Sequence, residues 1–137
     1  MSGKNKLTNY LWIAPLVIIP ILLLFYTKSE GQGKQLYGYN CANCHMENGA
    51  GLRNVIPPLA GADYLGKYSD QLPCLIKNGL QGEIVVNGQK YNQVMPANPQ
   101  LSEADIANII NYIRNEWGNE HKFMPVSEVK ENLKKCE

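Results

Sequence analysis

Cys41-Ala-Asn-Cys44-His45 is the stretch whose residue types and spacing could do chemistry. Two thiols three positions apart, followed at once by an imidazole, admit three readings. They could ligate zinc, exchange thiol and disulfide, or anchor a haem covalently. A structural zinc site usually takes four ligands from two such pairs. Here no second pair exists, and Cys74, His121 and Cys136 are scattered without ligand spacing. A redox CxxC opens a helix after a strand in a βαβ unit. This one closes a predicted helix, and no such unit is visible in the sequence. The haem reading has a geometric basis. Cys41 and Cys44 lie on nearly one face of a helical turn, so both can form thioethers with the vinyl groups of one haem. His45 then supplies the proximal iron ligand.

A second axial ligand would complete the iron's coordination. Of the four methionines, Met1 precedes the apolar N-terminal run and Met46 adjoins His45, so neither can reach the opposite haem face. Met95 and Met124 remain, and each precedes a proline. Met95 lies in the segment YNQVMPANP, where Pro96 and Pro99 stiffen a loop just before the longest predicted helix. Met95 is therefore the expected distal ligand, with Met124 as the alternative.

The elements that must position these groups can be placed coarsely. Residues 31–44 read as a helix running into the cysteine motif. Asn48-Gly49-Ala50-Gly51 is a turn, and Pro57-Pro58 marks an extended loop. Ser69 or Asp70 could cap a short helix ending at Asn78-Gly79. Asn87-Gly88, flanked by apolar residues, predicts a two-residue β-hairpin. Ser102 with Asp105 resembles a capping box. Ile106, Ile109, Ile110, Ile113 and Trp117 then form one stripe at the helical period, with Gly118 as the stop. Residues 119–137 form a polar tail with a short helix expected over 127–135, and little apolar surface to hold it.

Together these motifs resemble the class I c-type cytochromes, the small helical monohaem fold. The resemblance covers residues 31–118, roughly two-thirds of the chain. Gly33 and Tyr37 match the family's glycine and aromatic on the N-terminal helix, and Tyr112 matches the aromatic they meet on the C-terminal helix. PPLAG, residues 57–61, matches the proline loop whose carbonyl accepts the N–H of the proximal imidazole. Pro57 fits that role best, with Pro58 as the alternative. NGxxGxIxVNGxxYNxxMP, from Asn78 to Pro96, and LSEADIANIINYIRNEWGN resemble a bacterial subgroup with a short hairpin before the ligand methionine. The resemblance implies an all-α, cytochrome c-like domain with a short hairpin, one haem c, and single-electron transfer without substrate turnover. Cys74, Cys136 and the long tail depart from the generic family pattern.

The N-terminus bears on the compartment. Leu7–Tyr26 is a run of 20 residues without charge. At 1.5 Å per residue, about 20 residues span a hydrocarbon core of ~30 Å. Lys4 and Lys6 precede it, so the N-terminus is expected on the cytoplasmic side. TKSEGQGK after it makes a poor cleavage site, which favours an uncleaved anchor over a signal peptide. The expected organisation is an anchor at 1–27, a cytochrome domain at 28–118 and a tail at 119–137. The protein would cross the inner membrane once and place the haem domain in the periplasm. There an oxidising environment permits disulfides. With Cys41 and Cys44 taken by thioethers, Cys74 and Cys136 are left to pair and tether the tail.

The 137-residue chain has a formal net charge of +1. Removing Lys4 and Lys6 with the anchor leaves the remainder within one charge of neutral, which argues against a nucleic-acid partner. Expected partners are membrane lipid, through the N-terminal helix, and redox proteins such as a terminal oxidase, a reductase or a dehydrogenase. A haem peroxidase or gas reductase is the alternative, but it needs an open iron position and nearby acid–base groups. A haem-based redox or gas sensor needs an output domain, for which the chain leaves no room.

Overall fold

The computed structural model describes residues 31–136; the apolar run over 7–26 lies outside them. Among the described residues no helix is long and apolar enough to cross a membrane. Helix α1 covers residues 31–40, and after a turn at Cys41 a short α2 follows, Ala42–His45. Helix α3 is Asp63–Lys67, and a 3₁₀ turn over Ser69–Gln71 leads into α4, Leu72–Asn78. Strands β1, Ile84–Val86, and β2, Gln89–Tyr91, form an antiparallel hairpin. Helix α5 is Glu103–Ile113 and α6 is Val126–Leu133. The architecture is a small helical domain with one two-stranded hairpin.

The start of α5 follows from local chemistry. Asp105 N–H donates to Ser102 Oγ at 3.2 Å, and Ser102 N–H donates back to the Asp105 carboxylate at 2.9 Å. Two orphan donors of the first turn are thereby satisfied. Ile106, Ile109, Ile110 and Ile113 are all buried along one stripe. Helix α1 crosses this helix at Gly33. A Cβ there would stand 2.5 Å from Asn108 O and 2.8 Å from Tyr112 Cβ, so only glycine permits the approach.

Helix α5 ends at Ile113, one turn short of the periodic stripe, and Trp117 beyond it adopts φ +54°. That left-handed geometry costs a bulky residue about 1–2 kcal/mol. It swings the indole onto Gly49 and to within 5.1 Å of the Tyr37 ring and 5.5 Å of the Tyr112 ring, centroid to centroid. Each such aromatic pair contributes roughly 0.5–1.5 kcal/mol beyond area burial, enough to offset the strain.

The tail is more firmly held than its polar composition suggests. Met124 and Val129 are completely buried. The Asn111 side chain bonds both backbone groups of Met124, donating to its carbonyl and accepting from its N–H, each at 2.8 Å. Helix α6 packs against α4 and α5, and Cys136 is disulfide-bonded to Cys74 with Cα atoms 5.5 Å apart.

Candidate haem site

Cys41, Cys44, His45, Pro57 and Met95 all line one cavity of about 400 Å³. Its volume falls within the usual range of cofactor pockets, about 300–1,000 Å³. Leu65, Leu72, Ile76, Val86, Ile109 and Ile113 contribute to its walls, and no Asp, Glu, Lys or Arg lines it. The side chains that surround the sulfurs and the imidazole thus make a largely apolar chamber.

On the cysteine side, α2 is only one turn long because Met46 takes φ +65° directly after His45. The Met46 carbonyl, released from the helix, accepts the Tyr37 hydroxyl at 2.6 Å. His45 Nδ1 lies 3.1 Å from the Pro57 carbonyl oxygen. A carbonyl cannot donate, so Nδ1 must carry the proton and Nε2 keeps its lone pair. Burial holds the imidazole pKa below its ordinary value, with the Pro57 bond opposing more weakly. The net effect leaves His45 neutral at pH 7, with Nε2 available as a ligand. Of the two prolines, Pro57 makes this contact.

The loop that carries Pro57 is itself pinned. Leu59 and Ala60 N–H groups both donate to Gly49 O, at 2.7 and 2.9 Å. The buried Asn119 amide donates to Leu59 O at 2.8 Å and to Ile113 O at 2.7 Å. Asn119 therefore ties the proline loop to the end of α5. Sequence reasoning missed it, because an asparagine after Gly118 reads as a surface turn residue.

On the methionine side, Leu80 and Met95 exchange backbone hydrogen bonds at 3.0 and 2.9 Å. This bridge presents the Met95 side chain to the cavity. Met124 is buried elsewhere and does not line it. The hairpin above the cavity is clamped to α3: Asn87 N–H donates to Asp63 Oδ1 at 2.8 Å, and Asp63 N–H donates to Asn87 Oδ1 at 3.0 Å.

The competing chemistries fit these residues poorly. Burial, then the neighbouring Cys44, push the Cys41 thiol up to about 11. A thiol-exchange cysteine needs its pKa lowered instead. No group of three or more His, Cys, Asp or Glu side chains among the described residues is arranged to hold a metal ion by itself. Adjacent thiols, a tautomerically fixed imidazole, a thioether and apolar walls are the donor set and environment that a covalently attached haem requires.

The sequence model of the cytochrome c family matches residues 31–117. Two cytochrome c-552 proteins of Thermus thermophilus are each 40% identical to this chain, over 98 and 97 residues. The matches cover 69% and 68% of this chain and 66% and 73% of the two relatives. This chain thus spans just under two thirds of one of them. The cytochrome c subunit of a quinone alcohol dehydrogenase from Gluconobacter oxydans is 33% identical over 90 residues, which are 64% of this chain and 18% of that subunit. The chain belongs to the cytochrome c family, whose members carry a covalently attached haem c and act as electron carriers.

Proposed function

We propose that this protein is a membrane-tethered monohaem carrier that passes single electrons between redox proteins outside the cytoplasm. Cys41 and Cys44 form the two thioethers, His45 is the proximal ligand and Met95 the distal one. The observation that carries this reading is that all four side chains line the same uncharged cavity. When bound, the haem supplies one Fe(III)/Fe(II) couple. The chain's own residues do the rest. Pro57 holds the His45 ring and its tautomer through Nδ1. The thioether of Met95 is a weak donor that raises the potential relative to a second histidine. The apolar walls exclude water, which disfavours the extra positive charge of the oxidised state.

The anchor rests on the uncharged run Leu7–Tyr26. It would confine the haem near the inner membrane and raise its effective concentration at membrane partners. The resemblance to a dehydrogenase cytochrome subunit adds support for a dehydrogenase as electron donor; a terminal oxidase or reductase would then accept the electron. Spectroelectrochemical titration of the full chain tests the carrier role. One reversible one-electron couple with matching spectra in both directions is expected, without peroxide turnover. Sustained peroxidase or gas-reductase turnover would contradict it.

A further inference from the structure

Helix α4 is fastened at two places. Cys74, in its first turn, is bonded to Cys136 of the tail. Its last turn grips the segment that carries Met95. Lys77 Nζ donates to the Pro99 and Leu101 carbonyls, each at 2.7 Å. Asn98 N–H reaches the Ile76 and Lys77 carbonyls, both at 3.2 Å. Gly79, at φ +78°, lies flush against the same segment: a Cβ there would stand 2.5 Å from Met95 O and 2.8 Å from Ala97 N.

A lysine at a helix C-terminus ordinarily extends its ammonium into water. Lys77 instead spends two of its three donors on backbone carbonyls on the far side of Met95, where the chain enters α5. Bonds from a charged donor are about twice as strong as neutral ones. The loop is therefore fixed on both sides of Met95, by Leu80 before Pro96 and by Lys77 after it.

That grip is only as firm as α4 itself. Helix α4 has seven residues and no side-chain cap, too short to stand alone. It packs against α5 and against α6 of the tail. The disulfide joins the tail to α4 covalently, three residues before Lys77. We infer that the C-terminal tail steadies the Met95 loop through α4, with the Cys74–Cys136 disulfide as the fastening and Lys77 as the positioning residue. This rests on the reading of Met95 as an axial ligand. It gives the tail, which departs from the generic family pattern, a role at the haem although it does not line the cavity.

The test uses the full-length ferric holoprotein and two signals recorded during heating. One is the weak red charge-transfer band of methionine-ligated haem, and the other is the far-UV signal of the helices. In the wild type the two are lost together. In Lys77→Leu, and in the double variant Cys74→Ser with Cys136→Ser, the band is lost at a lower temperature than the helices. Hydrogen exchange at the Met95 amide, whose acceptor is Leu80 O, should quicken roughly tenfold in Lys77→Leu, the usual scale for removing a charged hydrogen bond. Lys77→Arg, which keeps the donors, should restore wild-type behaviour. A purely structural lysine would shift both thermal signals equally; that result, with Met95 exchange unchanged, overturns the inference. Met95→Ala separates the two claims. If it keeps the band, the ligand reading falls and the inference falls with it. If it loses the band while Lys77→Leu melts like the wild type, the inference alone falls.

Discussion

Met95 and Met124 both precede a proline, yet only Met95 lines the cavity, while Met124, itself in the tail, is fully buried away from it. Truncating them should separate two kinds of loss. Met124→Ala should cost about 2–5 kcal/mol in chemical denaturation, as a buried large-to-small change does, and leave the haem spectrum intact. Met95→Ala should abolish the red charge-transfer band and lower the reduction potential. Gly33→Ala belongs with the first kind. Its Cβ would press on the backbone of α5 at Asn108, so a destabilisation of about 1–3 kcal/mol is expected from the denaturation midpoint, again without a ligand change. The residues legible in the sequence were those whose chemistry is rare: two thiols beside an imidazole, a methionine between turn residues, and two cysteines left over once that motif is taken. Asn119 and Lys77 were not legible. Asparagine and lysine are ordinary surface residues, and their roles depend on which carbonyls the fold leaves within their reach.

The elements most readable in advance are those begun by local chemistry. Asn87 and Gly88 both adopt left-handed φ, +50° and +78°, as a two-residue hairpin turn of this twist requires. The capping box at Ser102 likewise opens α5 where the spacing predicts. The Ser102 hydroxyl first, then its backbone N–H, hold the Asp105 carboxyl below its ordinary value. A depressed carboxylate pKa stabilises the fold above the unfolded value of about 4, and that contribution is lost as pH falls through the folded-state value. Asp105→Ala should therefore flatten the acid limb of the stability–pH profile, modestly because the group is largely exposed. Ser102→Ala should cost about 1 kcal/mol at neutral pH. Element ends set by tertiary contact were harder to read. The apolar period ran through Trp117, but the helix stops at Ile113 because the indole gains more against Tyr37, Tyr112 and Gly49 than it would on the stripe. The tail read as loosely held for a similar reason, since its two buried apolar side chains, Met124 and Val129, are too few to show in its composition, and the asparagine that holds Met124, Asn111, lies in α5.

At the scale of the molecule, an uncharged cavity opens through half-exposed Val55 and Val94, in a domain close to electroneutral. Long-range steering needs strong fields of one sign. Electron exchange with a physiological partner should therefore change little between low and moderate ionic strength when followed by stopped flow. A steep fall with added salt would point to a charged docking face instead. The proposed anchor predicts that full-length protein fractionates with membranes and resists extraction by high salt, and N-terminal sequencing of a mature protein beginning near residue 28 would contradict it. The claim on which the rest depends is that His45 and Met95 close both axial positions of one covalently held haem. The most direct measurement is the absorption spectrum of the dithionite-reduced full chain before and after carbon monoxide. No spectral change is expected if Met95 occupies the distal position as proposed. A prompt carbon monoxide shift in the native protein would show an open iron and contradict it.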